Sequence, residues 1–166
     1  MMDHQLFNQI TTFVFDVDGV FTNSEVLVME NGDLLRTMNT RDGQAVKIAL
    51  EAGYNMAIIT KGFSTGVRKR FDLLGIEHIY DKVNNKTEAL ADLMIKLSIQ
   101  QDEILYMGDD IPDIQVLGQV GVSSCPHDAV PEVMQKVQYI SAFKGGNGCV
   151  RDVIEKVMKI QGKWTF

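Results

Sequence analysis

The chain of 166 residues holds only two cysteines, three prolines and one tryptophan. Cys125 and Cys149 form no CxxC pair and have no histidine at a zinc-like spacing, which argues against a disulfide scaffold or a structural metal site. A reducing, cytoplasmic setting is the expectation. No run approaches the roughly 18 apolar residues that a membrane span needs, and MMDHQLFNQITT lacks the basic and then apolar pattern of a secretory signal. Neither membrane insertion nor export is expected. Positive charge is also in deficit, with 16 Lys and Arg against 22 Asp and Glu and a net charge of −6. Nucleic acids are bound by clustered Lys and Arg, so a nucleic-acid partner is not expected. His4, His78 and His127 are scattered and suggest no ligand set. There is no internal repeat, low-complexity tract or domain boundary.

What is present is the composition of a globular protein, 45% hydrophobic and 23% charged. The length suits a single domain over 1–166, able to bury about two-thirds of its unfolded surface. Its most informative stretch is Phe13-Val14-Phe15-Asp16-Val17-Asp18-Gly19. A short β-branched and aromatic run that stops at a turn signal reads as a buried strand. Asp16 and Asp18 then stand at its carboxyl end, where open α/β sheets bind ligands. Two bare carboxylates held together repel, unless a divalent cation or a division of roles relieves them. Phosphoryl transfer through an aspartyl phosphate makes that division: one carboxylate attacks phosphorus and the other moves protons.

Strand and helix signals alternate along the rest of the chain. Glu25–Met29 and Leu34–Met38 flank an Asn31-Gly32 turn and read as a hairpin, a flap over the site or a surface that pairs with another subunit. A helix follows from Gln44 to Ala52 with Asp42 as its expected N-cap. Arg41, near the expected opening of the site, is a candidate for an anionic substrate, although a lone arginine is usually a solvated surface residue. Asn55–Ile59 reads as a second buried strand. Its end at Thr60, with a helix starting near Ser64, is an arrangement whose hydroxyl and free amides can donate to phosphoryl oxygens. Arg68, Lys69 and Arg70 on that helix read as a solvated face. Lys86 opens the helix that runs to Ser98; a cation there opposes the helix dipole and needs an anion nearby.

Ile104–Met107, Gly108 and then Asp109, Asp110 and Asp113 repeat the opening logic of strand, glycine and acids. Acids delivered by two strands to one sheet edge make a hard-oxygen site of the kind Mg²⁺ prefers. Further on, 120–123 reads as a strand, 128–136 as a helix and 137–140 as a strand. Lys144–Gly148 reads as a flexible glycine-rich loop, and Cys149–Ile160 as a final helix. The expected fold is α/β: a Rossmann-like parallel sheet with helices on both faces and a β-hairpin flap after the first strand.

DVDGVFT, the strand-end Thr60, Lys86 and GDDIPD together resemble the four motifs of the haloacid dehalogenase superfamily of phosphatases, in order and spacing. With the hairpin, the NTRDG segment, GGNG before Arg151-Asp152 and no cap domain, the whole chain is similar to the capless, tetrameric subgroup acting on phosphorylated sugar acids. The resemblance implies a Mg²⁺-dependent phosphatase of lipopolysaccharide biosynthesis. Its expected substrate is 3-deoxy-D-manno-octulosonate 8-phosphate, ahead of nine-carbon sialic-acid-type phosphates. It implies Asp16 as nucleophile and Asp18 as general acid and base. Mg²⁺ would be held by Asp16, the Asp18 carbonyl and Asp109, with Asp110 and Asp113 behind them, and Thr60 and Lys86 would bind phosphoryl oxygens. It also implies a homotetramer joined through the hairpins. The family usually follows the motif-two threonine with Gly and often then Arg. Here Thr60-Lys61-Gly62 stands instead, which makes Lys61 a candidate substrate contact unable to form a bidentate clamp.

Two other classes are weighed against this. A phospho-receiver domain would resemble a different pattern, with paired acids on the first strand and the phospho-acceptor on the third. A weakly active regulatory partner of a nucleotide-sugar synthetase would not need an acid and base at Asp18.

Overall fold

The computed structural model describes residues 4–166. In chain order the elements are α1 (His4–Asn8), β1 (Thr12–Phe15), β2 (Leu27–Val28), β3 (Leu34–Leu35), α2 (Thr40–Glu51), β4 (Asn55–Ile59), α3 (Thr65–Leu74) and β5 (His78–Tyr80). They continue as α4 (Lys86–Leu97), β6 (Ile104–Met107), α5 (Ile114–Leu117), β7 (Val122–Cys125), α6 (Pro131–Met134), β8 (Tyr139–Ile140) and α7 (Cys149–Ile160). Six strands form one parallel sheet in the order β5-β4-β1-β6-β7-β8. The chain leaves β1 toward β4 and β5, then crosses back to lay β6 on the other side of β1. The carboxyl ends of β1 and β6 therefore flank the point where the winding reverses, the place where such sheets leave a crevice.

The strand residues divide the core. Phe13 and Phe15 of β1, with Met56 and Ile58 of β4, pack against α1, α2, α3 and α7. Val14, Ala57 and Ile59 face the opposite way, toward α4, α5 and α6. A strand alternates its side chains between faces, and because both faces are covered all four β1 residues are buried. In α7 the buried positions Val150, Val153, Ile154, Val157 and Met158 follow the helical period.

Several local expectations are corrected. Asp42 does not cap its own helix: Asn39 does, accepting from the amides of Arg41 (2.8 Å) and Asp42 (3.3 Å). Asp42 is instead fully buried and accepts from the Arg151 amide at 2.8 Å, so α2 supplies the cap of α7. The strand expected at 120–123 lies at Val122–Cys125, because Gly121 is pressed against the Asp102 backbone and its amide donates to Gln101 O at 2.7 Å. The helix expected over 128–136 is the single turn Pro131–Met134.

The glycine-rich loop is not loose. The Gly145 amide donates to Asp128 Oδ1 at 2.9 Å and the Gly146 amide to Val20 O at 2.9 Å. A β-carbon at Gly145 would collide with the carbonyl of Gly19. The loop is thus a backing plate for the segment that carries Asp16 and Asp18, and only glycine permits that approach.

No helix among the described residues is long and apolar enough to cross a membrane.

Candidate active site

The Asp16 amide still donates to Met107 O (3.0 Å), carrying the β1–β6 ladder one residue past the strand. The chain then turns sharply, with the amides of Val20, Phe21 and Thr22 all directed at Val17 O. Gly19 makes the turn possible at φ +83°, and a β-carbon there would land on the Asp109 carboxylate. The ends of β1 and β6 are brought together at that point.

Asp16, Asp18, Thr60, Lys86 and Asp109 line one cavity of about 270 Å³, with Lys61 and Asp110 also on its wall. Lys86, buried at the first turn of α4, places its Nζ 2.7 Å from Asp16 Oδ2 and 2.7 Å from Asp113 Oδ1. This is the anion that its position at a helix start called for. Thr60 is buried at the end of β4. Asp113 is fully buried and saturated: Oδ1 also accepts from the Tyr106 hydroxyl at 2.7 Å, and Oδ2 accepts from the amides of Asp109 (3.1 Å) and Asp110 (3.3 Å). Asp110 is exposed and accepts from the Ile111 amide at 2.7 Å.

The electrostatics follow from this crowding. Burial first, and then the neighbouring Asp113 charge, push the Asp16 carboxyl up to about 6 against the pull of Lys86. Burial together with Asp16 and Asp113 pushes Asp109 up to about 8. Burial alone would lower Lys86, but the two carboxylates outweigh it and the ammonium is held more firmly protonated than usual. Oxygens of Asp16, Asp109 and Asp113 lie within 4.8 Å of one another. One lysine does not balance three acids, and an all-oxygen set with unrelieved negative charge fits a hard divalent cation. Asp113 spends its oxygens on Lys86, Tyr106 and two amides away from the cavity, whereas Asp16 and Asp109 line it and are the side chains that could ligate.

Two participants were missed in the sequence. In the sequence Tyr106 shows only as strand core, and the signal for its role is that a buried tyrosine needs a partner for its hydroxyl. Arg36 shows in the sequence only as part of a hairpin strand. It reaches back to Asp18, with Nε 2.6 Å from Oδ1 and Nη2 3.2 Å from Oδ2. A cation directly after Leu34-Leu35 was its only mark. Arg41, by contrast, lines a separate cavity of about 400 Å³ beside Asn147, Arg151 and Glu155, and not the acidic one.

A six-stranded parallel sheet with acids from β1 and β6 and a lysine from α4 at one edge defines a class, and comparison with known proteins gives the same one. The chain belongs to the haloacid dehalogenase-like hydrolases. The description of that family matches residues 73–153, a span that contains Lys86, Asp109 and Asp113. Over nearly the whole chain the similarity is to 3-deoxy-D-manno-octulosonate 8-phosphate phosphatases. That of Escherichia coli K12 is 36% identical over 154 residues, covering 93% of this chain and 82% of the relative. The crystal structure of the Yersinia pestis phosphatase superimposes with a TM-score of 0.94 at 32% identity, over 96% of this chain and 86% of that one. The phosphatase from Moraxella catarrhalis, solved in complex with magnesium ion, phosphate ion and KDO, gives 0.94 at 30% identity, over 97% and 92%.

Proposed function

We propose that this chain is a Mg²⁺-dependent phosphatase that hydrolyses 3-deoxy-D-manno-octulosonate 8-phosphate through an aspartyl phosphate on Asp16. The observation that carries this is the Lys86 bridge, which sets Asp16 Oδ2 2.7 Å from a buried ammonium at the edge of the cavity. An Asp16 oxygen attacks phosphorus and the bond to the sugar oxygen breaks; that oxygen takes its proton from Asp18. Asp18, now ionised, removes a proton from water, whose oxygen attacks phosphorus, releasing inorganic phosphate and regenerating Asp16. Lys86 and the Thr60 hydroxyl bind phosphoryl oxygens, and Asp113 with Tyr106 holds Lys86 in place. Asp16, Asp109 and the Asp18 backbone carbonyl would hold Mg²⁺, which when bound offsets the negative charge gathered around phosphorus. Lys61, on the cavity wall, would meet the sugar acid; Arg41, on its separate cavity, lies outside this reading. With these groups on one sheet edge, the chain acts as one catalytic unit.

The test is phosphate release, with and without Mg²⁺, from this ester beside nine-carbon sugar-acid phosphates and simple sugar phosphates. A preference of about 100-fold, equivalent to about 2.7 kcal/mol, is expected for the eight-carbon acid. A preference of that size for a nine-carbon acid would replace the substrate and keep the chemistry. Absence of Mg²⁺-dependent release from every ester would overturn the reading in favour of a regulatory partner.

The reading extends to assembly. Among the described residues β2 and β3 pair only with each other, and Leu27, Val28, Leu34 and Leu35 are 62%, 67%, 44% and 49% exposed. A lone two-stranded hairpin is marginal in water, and an apolar one is stabilised by pairing with copies of itself, in a homotetramer. Sedimentation velocity should report four chains. A monomer at micromolar concentration would sink the assembly. Cys125 and Cys149 are free and buried, which suits a cytoplasmic enzyme.

A further inference from the structure

Both oxygens of Asp18 are occupied by Arg36, whose Nη1 is tied in turn to Leu34 O at 3.1 Å. While that fork is in place, Asp18 has no oxygen free of it to serve a leaving group. The Arg36 side chain is only 8% exposed, yet it stands where two spaces meet. On one side it shares with Asp18 the wall of a recess that also holds Phe63, Ser64 and Arg68. On the other it lines an open groove of about 800 Å³ between the hairpin and the start of α3. Position 62 gives it room: a β-carbon there would lie 3.3 Å from Asp18 Oδ2 and 3.8 Å from Arg36 Nη2. The sequence at Thr60-Lys61-Gly62 offers no planar cation, and Arg36 brings one to the same spot from the hairpin. A guanidinium fork binds carboxylates two bonds at a time, so exchanging one carboxylate for another keeps both bonds.

We propose that Arg36 determines specificity by binding the carboxylate of the sugar acid: it leaves Asp18 for that carboxylate when substrate enters the groove, and so frees Asp18 to take up a proton from solvent and pass it to the leaving oxygen. This deepens the phosphatase reading above and rests on it. A phosphate ester without a second acid leaves the fork on Asp18. Recognition of the distal acid and readiness of the proton donor are then coupled by one side chain.

The test compares wild type with Arg36→Gln on two esters. One is 3-deoxy-D-manno-octulosonate 8-phosphate. The other is p-nitrophenyl phosphate, which carries no carboxylate and whose leaving group needs no proton. The ratio of kcat/KM for the sugar acid ester to that for the aryl ester should fall about 100-fold, with KM for the sugar acid rising. Calorimetric affinity for the dephosphorylated sugar acid should fall about tenfold or more in the variant. Parallel losses that leave the ratio within about threefold would overturn the proposal and make Arg36 structural. Arg36→Met, which keeps the packing of the stem, carries the same expectation if Arg36→Gln does not fold. The two readings fail differently. Wild type inactive on both esters overturns the phosphatase itself, whereas activity on both with an unchanged ratio in the variant overturns only the role of Arg36.

Discussion

Asp16→Asn should keep the fold and lose phosphate release by about 10⁴-fold or more, because an amide cannot serve as the nucleophile. Asn is the same size, and the Val17 amide that bonds Asp16 Oδ1 at 2.7 Å can still find an oxygen there. Asp18→Asn should behave differently. With p-nitrophenyl phosphate the first transfer needs little acid help, but the second has lost its base, so the phosphoryl group should remain on Asp16 and be detected by intact-protein mass spectrometry. Full activity in Asp16→Asn, or a phosphorylated protein in that variant, would refute the assignment. If neither variant turns over and Asp18→Asn never carries a phosphoryl group, the covalent route is wrong.

The second large effect is on stability. Without a divalent cation the protein should become less stable as pH rises from near 4 toward 8. Asp16 and Asp109 are both raised above the ordinary carboxyl value of 3.8, to about 6 and about 8. Below 3.8 the folded and unfolded chains both hold these protons, and the contribution to stability is fully present. Above it the unfolded chain releases protons that the folded protein retains, so stability falls by up to about 1.4 kcal/mol per pH unit for each group. The loss from Asp16 is complete once pH passes about 6 and that from Asp109 once it passes about 8. Asp109 is half-buried, and solvent screening reduces its share. Saturating Mg²⁺ supplies the missing positive charge, so the gain in denaturation midpoint over EDTA should be small near pH 5 and large near pH 8. An equal gain at both values would show that these carboxyls do not bind the ion.

Much of the site was legible in the sequence because its chemistry sits at strand ends. DVDG and GDD follow apolar runs short enough to be parallel strands, and Lys86 announced itself by opposing a helix dipole. The hidden parts act across large sequence separations. Asp42 looks like a local cap, since Asn39 and Asp42 both have the chemistry for it. Its role on α7 depends on a residue 109 positions away. The glycine-rich loop reads as flexible by composition, and it is fixed by contact with Gly19 and Val20. Arg36 lies 18 residues beyond its partner Asp18, at the end of a hairpin whose return no periodicity predicts.

The alternation of strand and helix, the strand ends that carry Asp16, Asp18 and Asp109, and the position of Lys86 are all set locally, because hydrophobic period and turn chemistry are properties of neighbouring residues. The tertiary structure alone decided that Asp113 spends both oxygens on holding Lys86, that Arg36 occupies Asp18, and that Arg41 stands apart. Those outcomes depend on which side chain reaches which across the sheet edge, and only the packed sheet and the folded-back hairpin bring those groups within hydrogen-bonding distance.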